Sequence, residues 1–291
     1  GNQIAHYLLE DKIILNQDNG LYTITNLGAL LFAKRLEKYP ALDRKRIRVI
    51  QYEDDTRINI LRQDTGGKGY ASGFDGLVKY IAGLLPAKDE IEAPLRKERT
   101  VYPIVAIREL IANALIHQDL SITGAGPTIE IFKSRIEITN PGTPLININR
   151  IIDNPPRSRN ETMASLMRRL GICEELGTGW DRVATYCEAY LLPAPQIDIY
   201  EENTKVTVFG PVAYKNMTQE TRLWTCYLHV CLKYVNQEKA TNSTLRDRLG
   251  LASTAAASAS RLINLAVEAE LIKPLDPNTA PRYMSYIPFW A

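Results

Sequence analysis

The sequence has few of the residues that build metal centres and none of the long apolar runs that cross a membrane. It contains four cysteines and three histidines, and no two cysteines are spaced Cys-x-x-Cys. A zinc cluster is therefore not expected, and the cysteines are expected to be reduced thiols in a cytoplasm. The longest apolar stretches, such as LGALLFA, fall far short of the roughly 18 residues of a membrane helix, so we expect no membrane partner.

The sequence also lacks a signal peptide and a P-loop. The chain starts at Gly1 and not at methionine, which indicates a trimmed fragment. In TGGKGYASGFDG (65–76), Lys68 is followed by glycine, and Arg62 occupies the position of the first P-loop glycine. We interpret this glycine-rich stretch as a flexible connection before a helix at about residues 74–85.

Neither sign of charge is much in excess, because the formal net charge of the whole chain is only +2. Residues 213–291 hold nine Lys and Arg against six Asp and Glu, a surplus of three. The remainder of the chain is close to neutral. This modest basic surplus favours an anionic partner for the C-terminal part.

The order of the sequence patterns divides the chain into three parts. Residues 1–95 mix short strands with helices and end in a charged, proline-bounded boundary. Residues 96–212 contain a helix, a β-hairpin (TIEIF, KS, RIEIT), two more helices and a closing hairpin. Residues 213–291 show three helices and then two strand-like segments around a Pro/Asn turn. The patterns predict an α/β (α+β) protein.

One helix of the middle part, RELIANALIHQD (108–119), carries three functional groups in register. Glu109, Asn113 and His117 are spaced i, i+4 and i+8, so they share one helix face. Such a polar row is either a solvated surface or one wall of a site. In a site, a carboxylate can activate a water, and a carboxamide oxygen can hold a hydrated Mg²⁺ that also binds phosphates.

Two glycine turns could complete such a site. Gly177, Thr178 and Gly179 open a helix, whose free backbone N–H groups can bind phosphate. Asn140 and Gly142, in the Asn-Pro-Gly turn after a strand, can meet the edge of a base. Each motif alone is more often structural than functional, and it is their order along the chain that favours a site.

That order resembles the Bergerat ATP-binding (GHKL) fold of the gyrase, heat-shock chaperone, histidine kinase and MutL superfamily. More narrowly, AIRELIANALIHQDLS, IEIFKSRIEITNPG, SRN and EELGTGWDRV are similar to a family of transcriptional regulators related to ATP-dependent DNA helicases. The resemblance covers about residues 20–210. In that family a Schlafen/AlbA-like domain precedes the Bergerat-like module, and a winged helix often follows it.

The resemblance implies an architecture and a set of partners. Residues 1–95 correspond to an α/β remnant of the AlbA-like domain, residues 96–212 to a Bergerat-like α/β sandwich, and residues 213–291 to a winged helix-turn-helix. An adenine nucleotide, ATP above all, with Mg²⁺ is the implied cofactor, and double-stranded DNA is the implied partner. A homodimer is expected by analogy, with the segment LMRRLGI offering apolar surface to the second copy.

The resemblance also assigns roles to individual residues. Glu109 corresponds to the water-activating carboxylate and Asn113 to the magnesium ligand, and Asn140 stands where an Asp contacts the adenine amino group. The implied nucleotide-binding residues are Asn113, His117, Asn140, Gly142, Arg159, Gly177, Thr178 and Gly179. The alternatives for two of them are internal packing for His117 and a surface salt bridge for Arg159. The neighbouring pair Arg168 and Arg169 is expected on a solvated helix face.

The chain departs from the superfamily in two respects. The Asp-x-Gly-x-Gly box is reduced to Asn-Pro-Gly, and the long glycine-rich lid is missing, so water exclusion is poor and fast hydrolysis is not expected. We therefore predict a transcriptional regulator with a nucleotide-binding module, and not an efficient enzyme. Two alternatives stay open. The intact Glu109 favours a slow Mg²⁺-dependent ATPase acting on DNA, whereas the lost Asp and lid favour a dimerisation scaffold.

The C-terminal part carries the predicted DNA contacts. Its order of helices and hairpin matches a winged helix, whose recognition helix enters the major groove. Here that helix begins after Ser253, and its predicted core side consists of Ala259, Leu262, Ile263 and Ala266. The residues predicted to face DNA are Thr254, Ser258 and Arg261 on this helix, Arg246 and Arg248 on the preceding helix, and Lys273 and Arg282 on the wing. A protein-interaction module is the alternative for this part.

Overall fold

A computed structural model describes residues 2–92, 95–155, 157–173 and 179–291 of the chain. The helices are α1 (Asn2–Glu10), α2 (Asn26–Phe32), α3 (Tyr70–Leu84), α4 (Ile104–His117), α5 (Glu161–Arg169), α6 (Gly179–Ala189), α7 (Gln219–Val235), α8 (Asn242–Arg248) and α9 (Ala256–Glu268). The strands are β1 (Ile14–Asn16), β2 (Tyr22–Ile24), β3 (Arg48–Tyr52), β4 (Ile60–Thr65), β5 (Ala87–Glu92), β6 (Leu95–Thr100), β7 (Thr128–Ile131), β8 (Arg135–Pro141), β9 (Gln196–Tyr200), β10 (Asn203–Phe209), β11 (Ile272–Pro274) and β12 (Tyr286–Pro288). The predicted mixed α/β class is confirmed.

Six strands form one mixed sheet in the order β4-β3-β7-β8-β10-β9. Strands β3 and β7 are parallel, and the other neighbouring strands are antiparallel. The two predicted hairpins of the middle part are confirmed as β7–β8 and β9–β10. Strands β3 and β4 come from before residue 95 and join strands that come after it. The sheet therefore contains strands from both sides of residue 95. The predicted domain boundary at this residue stays a prediction.

Helix α4 lies at the centre of the helical layer, where it packs against β8, α3 and α6. Its sequence, IVAIRELIANALIH, is apolar on most sides, as is typical of a helix that is surrounded by other elements. Leu110, Ala114 and Leu115 are buried, as predicted. Because the helix is enclosed, its polar row is not a solvated surface. Glu109, at the head of that row, is only 7% exposed.

The N-terminal third differs from the sequence-based expectation. The glycine-rich stretch is not a free connection, because α3 already begins at Tyr70. Gly69, just before it, packs so closely that an added Cβ would lie 2.6 Å from the carbonyl carbon of Leu31. The expected boundary after Pro86 is occupied by the antiparallel hairpin β5–β6. Helix α1 and strand β4 were not predicted at all.

The apolar residues of LMRRLGI face the interior of the chain itself. Leu166, Met167 and Ile172 are buried, whereas Leu170 is 51% exposed. The expectation that this segment offers an apolar surface to a second copy is therefore wrong. A homodimer stays a prediction that rests on analogy alone.

The C-terminal part has the predicted order of three helices and a hairpin. Helices α7, α8 and α9 pack together, and α9 is followed by the antiparallel pair β11–β12. An isolated bridge joins Ala240, between α7 and α8, to Tyr286 in β12. The predicted core side of α9 is confirmed by the burial of Ala259, Leu262, Ile263 and Ala266. Among the described residues, no helix combines the length and the apolar character needed to span a membrane.

Candidate functional site

A cavity of about 550 Å³ lies between α4, α5, the start of α6 and the strands β8 and β10. Its volume falls within the range of about 300–1,000 Å³ that is usual for small-molecule sites. Five of the predicted nucleotide-site residues line it: Glu109, Asn113, His117, Asn140 and Gly179. The fold thus brings together side chains of three elements that are far apart in the sequence.

Glu109 and Gly179 are in close contact. Burial raises the pKa of Glu109, and the nearby positive charges of Arg182 and Arg108 partly offset this effect. A Cβ added at Gly179 would lie 2.4 Å from Oε1 of Glu109, so any side chain at that position would push the carboxylate aside. Glycine at the first position of α6 therefore leaves room for a buried carboxylate at the cavity wall.

Asn113 and His117 continue the row along α4. Within the described ranges neither side chain makes a hydrogen bond to the protein, so both are free to meet a ligand. Burial and the positive charge of Arg159 lower the pKa of His117, which keeps the imidazole neutral at pH 7. A free carboxamide and a neutral imidazole both offer one donor and one acceptor side to a ligand.

The Asn-Pro-Gly segment, which ends β8 and enters the following turn, is fixed by its neighbours. Gly142 has a φ of +108° and a Cβ there would lie 2.8 Å from the backbone nitrogen of Asp119, so the turn requires glycine. The Asp119 N–H donates to the carbonyl oxygen of Pro141 at 2.7 Å, and the Thr204 hydroxyl donates to that of Gly142 at 2.6 Å. Gly142 itself does not line the cavity, whereas Asn140 is buried and does.

Arg159 supports this turn from outside the cavity. Its guanidinium lies 3.3 Å from the Asp119 carboxylate and donates to the carbonyl oxygen of Thr143 at 3.0 Å. Arg159 therefore forms the salt bridge that was the alternative to nucleotide binding. It is not among the residues that line the cavity. Gly177 and Thr178 lie outside the described residues, and their predicted contacts with phosphate stay predictions.

Helix α5 contributes a cationic residue that the sequence analysis assigned to a solvated face. Glu161, Ala164, Ser165 and Arg168 line the cavity, at spacings of three, one and three residues that place them on one side of the helix. Arg169 instead forms an ion pair with Asp11 on the outside. The helical periodicity of α5 could have separated the two arginines if its cavity-facing side had been known.

Helices α4 and α5 run antiparallel along the cavity, which gives the cavity two distinct ends. At the start of α5, the Asn160 amide donates to the carbonyl oxygens of Ile116 and Gln118, at 2.7 and 2.8 Å. Beyond the end of α5, the carbonyl oxygen of Gly171 accepts a hydrogen bond from Arg108 at 3.1 Å. The end of α4 therefore lies beside the start of α5, and the Arg108 region beside its end.

The two ends differ in their chemistry. One end contains His117 and Asn140, and we call it the amide end after the Asn140 side chain. Asn140 lies near the end of α4 because Pro141 is hydrogen-bonded to Asp119, two residues after that helix. We call the end with Glu109, Gly179 and Arg168 the carboxylate end. Asn113 lies between them, one helical turn from Glu109 and one from His117.

A short piece of the cavity wall also contacts the C-terminal part, and we call residues 149–152 the wall segment. The carbonyl oxygen of Asn149 accepts a hydrogen bond from the Tyr227 hydroxyl of α7. The guanidinium of Arg150 lies 4.4 Å from the centroid of the Trp290 ring. Both contacts join the wall segment to residues that are more than seventy positions further along the chain.

Apolar packing strengthens this connection. Ile151 of the wall segment and Trp180 of α6 both line the cavity, and both pack against the apolar core of α7, α8 and α9. Ile152 is 6% exposed and belongs to that core. Cavity and C-terminal core are therefore built in part from the same residues.

The predicted DNA contacts differ in how far they are exposed to solvent. Arg248 is only 5% exposed, and its Nε lies 3.4 Å from the Glu188 carboxylate of α6. The prediction that Arg248 meets a DNA phosphate is therefore wrong, because its charge is used inside the chain. Arg246 is half-buried and donates to the Asn242 side chain and to the Ser253 carbonyl, both at 2.9 Å.

The remaining candidates lie at or near the surface. Thr254 and Arg261 are exposed, and Ser258 is half-buried and accepts a hydrogen bond from Arg261 at 3.3 Å. On the hairpin side, Lys273 is half-buried near the Phe289 ring. Arg282 is exposed in the turn between β11 and β12. These five residues, and the half-buried Arg246, stay predicted DNA contacts.

Comparison with known proteins relates the middle of the chain to a helicase-associated ATPase-like domain. Residues 124–208 match the family model described as "Putative ATP-dependent DNA helicase recG C-terminal". The matched segment contains Asn140 and Gly179, whereas Glu109, Asn113 and His117 on α4 precede it. The chain thus contains an ATPase-like segment of the kind associated with DNA helicases, as the resemblance implied.

A solved structure shares the fold. The crystal structure of the DIP2311 protein from Corynebacterium diphtheriae is similar with a TM-score of 0.57 and 21% sequence identity. The similarity covers 94% of this chain and 55% of that chain, so this chain spans about half the length of its structural relative. No curated protein matches the sequence.

Proposed function

We propose that the chain is a DNA-binding transcriptional regulator whose cavity binds an adenine nucleotide together with Mg²⁺. The observation that carries this proposal is the convergence of Glu109, Asn113, Asn140 and Gly179 on one cavity. The match of residues 124–208 to an ATPase-like family model supports the class of ligand. The proposal goes further than this match, because it assigns a function to the whole chain.

The two ends of the cavity suit the two ends of a nucleotide. At the amide end, the Asn140 side chain can accept or donate a hydrogen bond at the edge of the base. At the carboxylate end, Gly179 opens α6, and the free N–H groups of a helix start favour phosphate. Asn113, between the ends, would hold Mg²⁺ through its side-chain oxygen together with phosphate oxygens and water.

The test is a calorimetric titration of the chain with ATP, with and without Mg²⁺. Asn113→Ala should weaken Mg²⁺-dependent binding by about 1–3 kcal/mol, the usual cost of removing a partner of a charged group. Asn278→Ala, in an exposed turn, is the control and should leave binding unchanged. If millimolar ATP produces neither heat nor a thermal shift in the wild type, the cavity is not a nucleotide site and the scaffold alternative stands.

The slow-ATPase alternative is tested on the same samples through the release of inorganic phosphate. A buried carboxylate with a raised pKa is a suitable acceptor for a proton from water, which is the observation that favours turnover. Glu109→Gln should then abolish phosphate release and leave binding nearly intact. Equal release by wild type and Glu109→Gln would exclude Glu109 as the base.

The DNA-binding part of the proposal rests on α9 and the hairpin that follows. The core side of α9 is buried, and Arg261 is exposed on the other side. The helix begins at Ala256, later than predicted, so Thr254 is exposed in the 3-10 turn just before it. We propose that residues 213–291 act as a winged helix, with α9 in the major groove and Arg282 near the backbone phosphates. A protein-interaction module is the second reading of this surface.

Binding of the whole chain to duplex DNA should fall steeply with salt. Arg282→Ala should lower the slope of log K against log salt by about 1, because one phosphate contact is lost. Arg261→Ala should instead relax the preference for sequence, if its side chain reads a base. Arg35→Ala, exposed in the N-terminal part, is the control. No binding to any duplex at about 50 mM salt would assign this surface to protein interactions.

A further inference from the structure

We infer that Arg168 is the residue that binds the terminal phosphates of the nucleotide, so that the cavity selects nucleoside di- and triphosphates over monophosphates. This inference rests on the proposed nucleotide function and adds the residue that recognises the phosphate chain. It differs from the sequence-based expectation, which listed Arg159 among the nucleotide-binding residues and placed Arg168 on a solvated face.

The first argument is position. Arg168 lies in the last turn of α5, and the antiparallel arrangement of α4 and α5 places that turn beside Glu109 and not beside His117. Arg168 and Glu109 both influence the pKa of Cys173, a third cavity-lining residue, which agrees with their presence at the same end. Arg168 therefore belongs to the carboxylate end, with the helix start at Gly179.

The second argument is the state of the guanidinium. Within residues 2–92, 95–155, 157–173 and 179–291, the Arg168 side chain has neither a hydrogen bond nor an ion pair. Its neighbour Arg169 is bound to Asp11, and Arg159 is bound to Asp119. Arg168 is thus a half-buried, cavity-lining cation whose fork of N–H donors has no partner in the described part of the chain. Such a fork matches the oxygens of phosphate.

The third argument is length. Glu109 and His117 are eight residues apart on α4, which corresponds to about 12 Å along the helix axis. A ligand whose base contacts Asn140 at the amide end must extend along this distance to reach Arg168. The phosphate nearest the ribose is closer to the amide end than the terminal ones, so Arg168 is expected to contact the outer phosphates.

Electrostatics also favour a cation at this end. Glu109 would repel a phosphate chain if it carried its full charge in a buried position. Arg168 supplies a positive charge on the opposite wall of the cavity, in addition to the charges of Arg182 and Arg108 near Glu109. Arg168 therefore lowers the repulsion that a polyanionic ligand meets at the carboxylate end.

The experiment compares the binding of ATP, ADP and AMP to the full chain by calorimetry. Arg168→Ala should weaken ATP and ADP binding by about 10- to 100-fold, the range for a lost hydrogen bond to a charged group, and should leave AMP binding unchanged. Arg168→Lys, which keeps the charge and loses the fork, should give an intermediate affinity for ATP. Arg169→Ala is the matched control at the next position and should bind all three ligands like the wild type.

The outcomes separate this inference from the proposed function. If the wild type binds none of the three nucleotides, the proposed function and the role of Arg168 both fail. If the wild type binds ATP and Arg168→Ala binds it equally well, only the assignment of Arg168 fails. If Arg168→Ala loses ATP and AMP to the same degree while Arg168→Lys restores both, Arg168 shapes the cavity and does not select phosphates, which also overturns the assignment.

Discussion

Asp181, in the first turn of α6, carries a buried oxygen without a hydrogen-bond partner in the described part of the chain. Burial and the negative charge of Asp153 raise the pKa of Asp181 to about 6. A carboxyl whose pKa is higher in the folded state than in the unfolded state favours folding when it is protonated. That contribution is fully present below the ordinary pKa value of 3.8 and is lost as the pH rises through about 6.

Asp181→Asn should therefore stabilise the chain in a pH-dependent way. The variant keeps the shape and has no charge to bury, so at pH 8 it should be more stable than the wild type by roughly 1 kcal/mol. This value is well below the full linkage energy, because the side chain is half-buried and stays partly solvated. Urea unfolding at pH 4, 6 and 8 measures the difference, which should vanish at pH 4.

The control for this prediction is Asp247→Asn, at an exposed position of α8. It should show no comparable gain at pH 8. A gain that is equal at pH 4 and pH 8 would mean that Asp181→Asn acts through packing and not through charge.

At the scale of elements, α8 is a short helix whose start is fixed by side chains. Thr241 accepts a hydrogen bond from the Thr244 backbone, and the Thr244 side chain accepts one from the Thr241 backbone, so the two form a capping box. A helix of seven residues gains little from its own hydrogen bonds, which makes its cap and its packing decisive.

Thr241→Ala should cost about 1 kcal/mol of stability, because the Thr244 N–H at the start of α8 loses its side-chain acceptor. Chemical denaturation of the full chain measures this loss. Thr254→Ala removes the same hydroxyl at an exposed site that is not a helix cap, and its cost should be close to zero. Equal costs for the two variants would contradict the role of the capping box.

Elements with a clear periodicity could be predicted from the sequence, and those without one could not. The core side of α9 follows from apolar residues three and four positions apart, and all four predicted residues are buried. Strand β4 has exposed side chains at every position, so it shows no alternation that would mark it as a strand. It is defined by its pairing with β3, which is a contact between segments.

The candidate site was also predictable only where local spacing determines which residues share a helix face. The polar row of α4 follows from the spacing of its residues, and the structure encloses it in a cavity. The predictions for Arg168 and Arg248 were wrong for the same physical reason. Each side chain faces an element that is distant in the sequence. Arg248 is buried against Glu188 of α6, and Arg168 faces the cavity formed with α4. Local spacing contains no information about such neighbours.

At the scale of the whole molecule, two apolar cores meet at α6. Its start contributes Gly179 and Trp180 to the cavity, and its last turn carries Glu188. The Glu188 carboxylate is bonded to His229 of α7 at 2.8 Å, and the same carboxylate neutralises Arg248 of α8. One helix of eleven residues thus extends from the cavity to the centre of the C-terminal helices.

The wall segment has a thermodynamic consequence for this arrangement. Because residues 149–152 belong to the cavity at Ile151 and to the C-terminal core at Ile152, their position enters two equilibria at once. Any ligand whose affinity depends on that position is linked to the packing of α7. Linkage is reciprocal, so whatever factor the C-terminal helices impose on the ligand, the ligand imposes on them.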